Sequence, residues 1–224
     1  MGNTHFDPVG QWIAANIHCD LEEYSVTREE ALWWTLMFGR DHQKLEYRIA
    51  GSLEHIGQEP STFTCRFNPR TWAQHEVITY TNGETRESFD TPKLTTDGWF
   101  EPGQFVVRSS LLGTPRMMVM WRDFLIRKLL PLSLSPSCGF SMTTHNLRYL
   151  KITQEATDED AGWGLYVDLE ADCALYYCQY NMKHVMHKEI EVSSVHLLFS
   201  GETSFHEFER NDVGELTRVD SAAG

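Results

Sequence analysis

Basic residues are scarce. The chain of 224 residues has 19 Lys and Arg against 32 Asp and Glu, a formal charge of −13. Such a surface repels phosphate, which argues against nucleic acid and anionic membranes as general partners. No apolar run of about 18 residues occurs, so no transmembrane helix is expected. The opening MGNTHFDPVGQW has no basic segment followed by an apolar one, so no secretory leader is expected. Phe6 stands where a myristoylation signal needs Ser or Thr. The five cysteines (Cys19, Cys65, Cys138, Cys173 and Cys178) are odd in number and form no CxxC. Free thiols in a reducing, cytoplasmic compartment are the expectation. Cys173 and Cys178 are the nearest pair, but on one continuous strand their side chains would lie on opposite faces, about 16 Å apart.

Nucleotide and hydrolase signatures are also missing: there is no GxxxxGK[ST], GxGxxG, HExxH or GxSxG. The acids of TDEDAG read as a solvated loop rather than a calcium site. No metal and no cofactor is expected. What is present is core-forming material: 41% of residues are hydrophobic and 12% aromatic. That is enough for a sizeable core.

The first forty residues carry a helical period. Asp7-Pro8 is a capped start, and Val9, Trp12, Ile13, Ile17 and Leu21 recur at three- and four-residue spacing. Thr27 and Glu30 form a capping-box pattern ahead of a second apolar face ending near Gly39. A helical segment over 8–38 is therefore expected.

After Gln43 the period changes to two. KLEYRIAGSLEHI puts Leu45, Tyr47, Ile49 and Leu53 on one face and Glu46, Arg48, Ser52 and Glu54 on the other. STFTCRF is short and β-rich, and HEVITYTNGETRESF reads as a hairpin about Asn82-Gly83 in a type I′ turn. GQFVVRSSLLG, RMMVMWRDFLI, CGFSMTTHNLRYLKITQE, WGLYVDLEADCALYYCQYNM and EIEVSSVHLLFSG read as further strands. The fold class expected is α+β, mainly β: one domain with a helical N-terminus, an antiparallel β-barrel over 44–210 and a tail over 211–224. That architecture is similar to the one of lipocalin-like proteins. No motif of that group is present, so the likeness implies no function.

The richest local chemistry is YYCQYNMKHVMHKE, residues 176–189. On a helix His184 and His187 would share a face; on a strand they point apart. Its Tyr, Cys and Val content favours a strand, and a zinc or iron site would need a third ligand such as His196 or His206. Neighbouring strands with packed tyrosines are the simpler reading.

Candidate site residues come instead from polar positions inside apolar strands. Arg108 is the charged centre of FVVRSSLL, with Ser110 on the face of Val106. A buried guanidinium needs a partner, and a carboxylate such as Asp123 on the next strand, beside Trp121, the oxygen of a ligand, or both are expected to supply it. Thr144, Asn146 and Arg148 form one row, and Thr143, His145, Leu147 and Tyr149 the other. Arg108, Asp123, His145 and Tyr149 are the catalytic candidates. Trp121, Val106, Ser110, Met118 and Tyr177 are the ligand-lining ones. The function expected is binding of a small hydrophobic or aromatic molecule inside the barrel. Any reaction on it would be a cofactor-free cyclisation, isomerisation or lyase step driven by positioning. The alternatives are a non-enzymatic acidic adaptor, or a haem or metal barrel using His184, His187 or His196.

Overall fold

In a computed structural model of the chain, residues 6–27, 30, 44–71, 73–90, 115–129, 140–158 and 160–219 are described. The first helix, α1 (Pro8–Asn16), begins as its sequence requires. Asp7 caps it by accepting from the Gly10 N–H at 2.9 Å, and Pro8 fills the first turn, where no N–H is needed. It buries Val9, Trp12 and Ile13 on one stripe. The stripe stops there: Leu21 lies beyond the helix, and a short strand, β1 (Glu23–Ser25), follows. The capping box is present, with Glu30 accepting from the Thr27 N–H at 2.8 Å and the Thr27 hydroxyl accepting from the Glu30 N–H at 3.3 Å. The rest of the expected second helix lies outside the described residues.

The remaining strands are β2 (Lys44–His55), β3 (Ser61–Phe67), β4 (Gln74–Tyr80), β5 (Thr85–Asp90), β6 (Phe140–His145), β7 (Tyr149–Gln154), β8 (Gly162–Asp168), β9 (Cys173–Tyr180), β10 (Met186–Phe199), β11 (His206–Arg210) and β12 (Leu216–Val219). All are antiparallel, in the order β1-β6-β7-β8-β9-β10-β2-β3-β4-β5, with β11 on β10 and β12 on β11. Among the described residues the sheet is open and not closed into a barrel, with β1 and β5 at its two ends. Residues 216–219, in the expected tail, form β12.

The 14 residues of β10 serve two neighbours in succession on one side, β9 along Met186–Glu191 and β11 along Ser194–Leu197. A bulge at Ser193 lies between them. It lets Val192 and Val195, three apart, both face the core.

Four sequence expectations fail for identifiable reasons. RMMVMWRDFLI is not a strand: it forms the helices α2 (Pro115–Val119) and α3 (Trp121–Leu129). Met, Arg and Leu favour helix, Pro115 opens it, and a helix buried all round carries no amphipathic period to read.

CGFSMTTHNLRYLKITQE is two strands. Asn146 and Leu147 both take positive φ (53° and 55°), the type I′ combination, so the two rows of alternating residues drawn through this segment do not exist. WGLYVDLEADCALYYCQYNM likewise breaks, at 169–172, into β8 and β9.

Asn82-Gly83 is not a type I′ pair. The Tyr80 N–H donates to Glu84 O at 2.9 Å, closing a three-residue loop in which Gly83 alone has positive φ (84°). Asn211–Glu215 repeats this loop with Gly214, and Asn181–Val185 repeats it with His184 at the glycine position (φ 60°).

The two faces of the sheet are covered differently. On β8 and β9, Gly164, Tyr166, Tyr176 and Tyr180 face α1: Trp12 stacks on Tyr176 at 4.8 Å and Phe6 meets Tyr180 edge-on at 5.0 Å. Trp163, Leu165 and Tyr177 point to the opposite, inner face. There Phe124 of α3 packs on Trp163 at 4.9 Å, and α2 lies across β9 and β3. The inner face continues through Ile49, Phe63, Cys65 and Phe67.

Candidate functional site

The expected site residues are divided between those two faces. Arg108, Val106 and Ser110 lie outside the described residues. Asp123 is in the first turn of α3 rather than on a strand following Arg108. Trp121 is 1% exposed, and its indole N–H donates to Asp172 Oδ1 at 3.2 Å. Tyr47 donates to the other oxygen of Asp172 at 2.6 Å, and Arg122 forms an ion pair with it. Trp121 therefore fastens α3 to the β8–β9 turn and is no ligand wall. Met118 is fully buried under the same cover. Tyr177 is fully buried on the inner face, and its hydroxyl has no partner among the described residues.

His145 and Tyr149 are together on the α1 face. They are cross-strand partners of β6 and β7. Tyr149 stacks on Tyr166 at 5.3 Å, and the Tyr166 hydroxyl is 3.3 Å from His145 Nδ1. Burial holds the Tyr166 phenol well above its ordinary range. On the other side of the ring, His145 Nε2 faces Glu23 Oε2 at 4.0 Å. His145 is 5% exposed, and burial pushes its pKa down, with Glu23 pulling the other way. Tyr149 donates to Glu215 Oε1 at 3.2 Å, and the Cys19 thiol contacts that same oxygen at 3.7 Å. Burial, then Glu215, raises the Cys19 thiol.

Of these groups His145, Glu23 and Cys19 edge a groove of about 610 Å3 between α1 and the strands β1, β6 and β7. Ile13, Ala14, Ile17 and Leu21 supply its apolar side, and Asp7, Glu23, His145 and Lys151 its polar one. Asp7 has two tasks: one carboxylate oxygen caps α1 and the other pairs with Lys151. Sequence reasoning reached His145 and the Asp7 cap but missed Tyr166, Glu23 and Lys151. Tyr166 sits in an apolar run like any core tyrosine. Glu23 and Lys151 meet the groove only through the β1–β6–β7 pairing, which no local pattern announces.

The histidine alternatives disperse. His184 lies in the β9–β10 turn, stacked on Phe6 at 4.4 Å, while His187 and His196 lie nine residues apart on β10. No group of three metal-binding side chains occurs among the described residues. Cys19, Cys65, Cys173 and Cys178 are free thiols.

No family model matches the chain, and no curated protein matches it. Among solved structures it is similar to MucB in complex with MucA(peri), at 12% identity and a TM-score of 0.41 over 77% of this chain and 57% of that one. The MucA/MucB complex of Pseudomonas aeruginosa gives 13% and 0.39, covering 77% of this chain and 58% of that one. MucB alone gives 13% and 0.38, covering 77% and 60%. The chain thus spans less than two thirds of the chains it matches, and likeness at this level carries no statement about function.

Proposed function

We propose that this protein binds a small, largely apolar molecule in the groove beside α1. One observation supports the reading above the rest: the groove joins an apolar wall from α1 and the segment after it to a polar wall of Glu23, His145 and Lys151 from three strands with Asp7 from the helix cap, the usual composition of a small-molecule site. The ligand lies outside the sheet, between helix and strands, and not in the lumen of the closed barrel expected from the sequence. His145 offers it a ring nitrogen from a buried side chain, and the neutral imidazole is the form that burial favours. Binding needs no cofactor, and a reducing compartment suits the free thiols, Cys19 in the groove among them.

The test uses N-phenyl-1-naphthylamine, a neutral apolar fluorophore. Its titration should saturate at one site. Ala14 is exposed on the groove wall, so Ala14→Trp fills the space without disturbing the core. That variant should weaken the dye about tenfold or more. Dye binding that Ala14→Trp leaves unchanged would place the ligand elsewhere and overturn the reading.

A further inference from the structure

Three fixed charges edge the groove: Asp7, Glu23 and Lys151. Lys151 is already paired with Asp7, so those two cancel. His145 is buried and faces Tyr166, Glu23, Lys151 and Asp7, an arrangement in which the neutral ring is preferred. That leaves Glu23. Its nearest cation-capable atom among the described residues is His145 Nε2 at 4.0 Å, and its side chain is 60% exposed at the groove mouth. Among the described residues, the groove therefore presents one uncompensated negative charge, in a molecule already at −13.

We propose that the groove recognises an amphiphile with an ammonium head, Glu23 acting as counter-ion and Ile13, Ala14, Ile17 and Leu21 seating its chain. This rests on the groove being the binding site. An anionic amphiphile would meet Glu23 with no free cation in the groove to receive it. A neutral one would gain the apolar contact alone. The ammonium form gains both.

The experiment compares three probes with one chain, octylammonium, octan-1-ol and octanoate, by displacement of N-phenyl-1-naphthylamine from the full chain at neutral pH. Octylammonium should bind about two- to fivefold more tightly than octanol, and octanoate more weakly than either, the size of a partly exposed ion pair. Glu23→Gln, at an exposed position, should abolish the preference, bringing the ratio of octylammonium to octanol affinity to about one. Equal affinities for the three probes, or an octylammonium preference that survives Glu23→Gln, would overturn the ammonium assignment while leaving the groove as the site. Failure of all three probes to displace the dye would overturn both.

Discussion

Strands β3 and β8 are each seven residues long and belong to one sheet, yet they are buried in different ways. In β3 the burial alternates strictly: Ser61, Phe63, Cys65 and Phe67 are buried, and Thr62, Thr64 and Arg66 are exposed. In β8 every residue is buried. The difference is the cover. The β3 region has α2 on its inner face and water on the other, whereas β8 lies between α1 and the inner core. A strand with one wet face tolerates change at every second position. A strand with two dry faces must satisfy each polar group and fill each volume on both sides.

The largest effect is expected where the doubly covered half holds a charge. The Asp168 side chain is wholly buried, and Arg148 grips it through Nε at 3.2 Å and Nη2 at 2.7 Å. Arg148→Ala leaves that carboxylate with only the Glu170 and Ala171 N–H groups, at 2.9 and 3.2 Å. The loss should be about 3 kcal/mol in denaturant titration, the lower end for a broken buried pair because Arg148 is partly exposed. Arg148→Lys should recover only part of it, lacking the planar fork. A loss under about 0.5 kcal/mol, the size of an ordinary surface substitution, would mean that β8 is no more demanding than β3.

Next comes volume. A Cβ at Gly164 would lie 2.2 Å from Val9 Cγ2 and 3.2 Å from Cys178 Sγ, so α1 must move to admit it. Gly164→Ala should cost about 2 kcal/mol. Adding Val9→Ala should return part of that, a coupling that a double-mutant cycle reads directly. Thr64→Ala, on the wet face of β3, should stay within about 0.5 kcal/mol. Similar costs at the two positions would erase the contrast.

The same contrast explains what was legible. A wet face writes its alternation into the residues, so β2 could be located from its period, while β3 was marked by β-rich composition and the β4–β5 hairpin by Asn82-Gly83. Where both faces are dry the period vanishes. The turns at Asn146-Leu147 and 169–172 hold no glycine or proline to mark them, and α2, buried all round, passed for a strand. The candidate site was half legible. His145 stood out as a polar residue among apolar neighbours, but its partners come from β1, β7, β8 and α1, and only the fold brings them together.

His145 provides a pH-dependent test of the doubly covered half. Its folded pKa is lowered by burial, so the unfolded chain takes up the proton first as pH falls. The stability it contributes is therefore complete above the ordinary value of about 6.5 and is lost as pH drops from there through the folded pKa. His145→Gln should flatten the stability profile over that window relative to the unmodified protein. Parallel profiles would show that the ring is solvated like a surface histidine.

The smallest effect should come with the opposite sign. Tyr177 lies fully buried on the inner face, and its hydroxyl has no partner among the described residues. The four tyrosines of the α1 face differ: Tyr149, Tyr166, Tyr176 and Tyr180 all direct their hydroxyls to a partner, Glu215, His145, Glu189 and the Gln154 carbonyl. A buried donor left unpaired costs free energy that a phenyl ring of the same shape does not. Tyr177→Phe should therefore stabilise the protein by up to about 1 kcal/mol, a rise in Tm of about 2–4 °C for a chain of this length. Tyr176→Phe, which breaks the bond to Glu189, should lower Tm instead. A fall on Tyr177→Phe would show that its hydroxyl is bonded in solution, and would make the inner face a second polar environment like the α1 face.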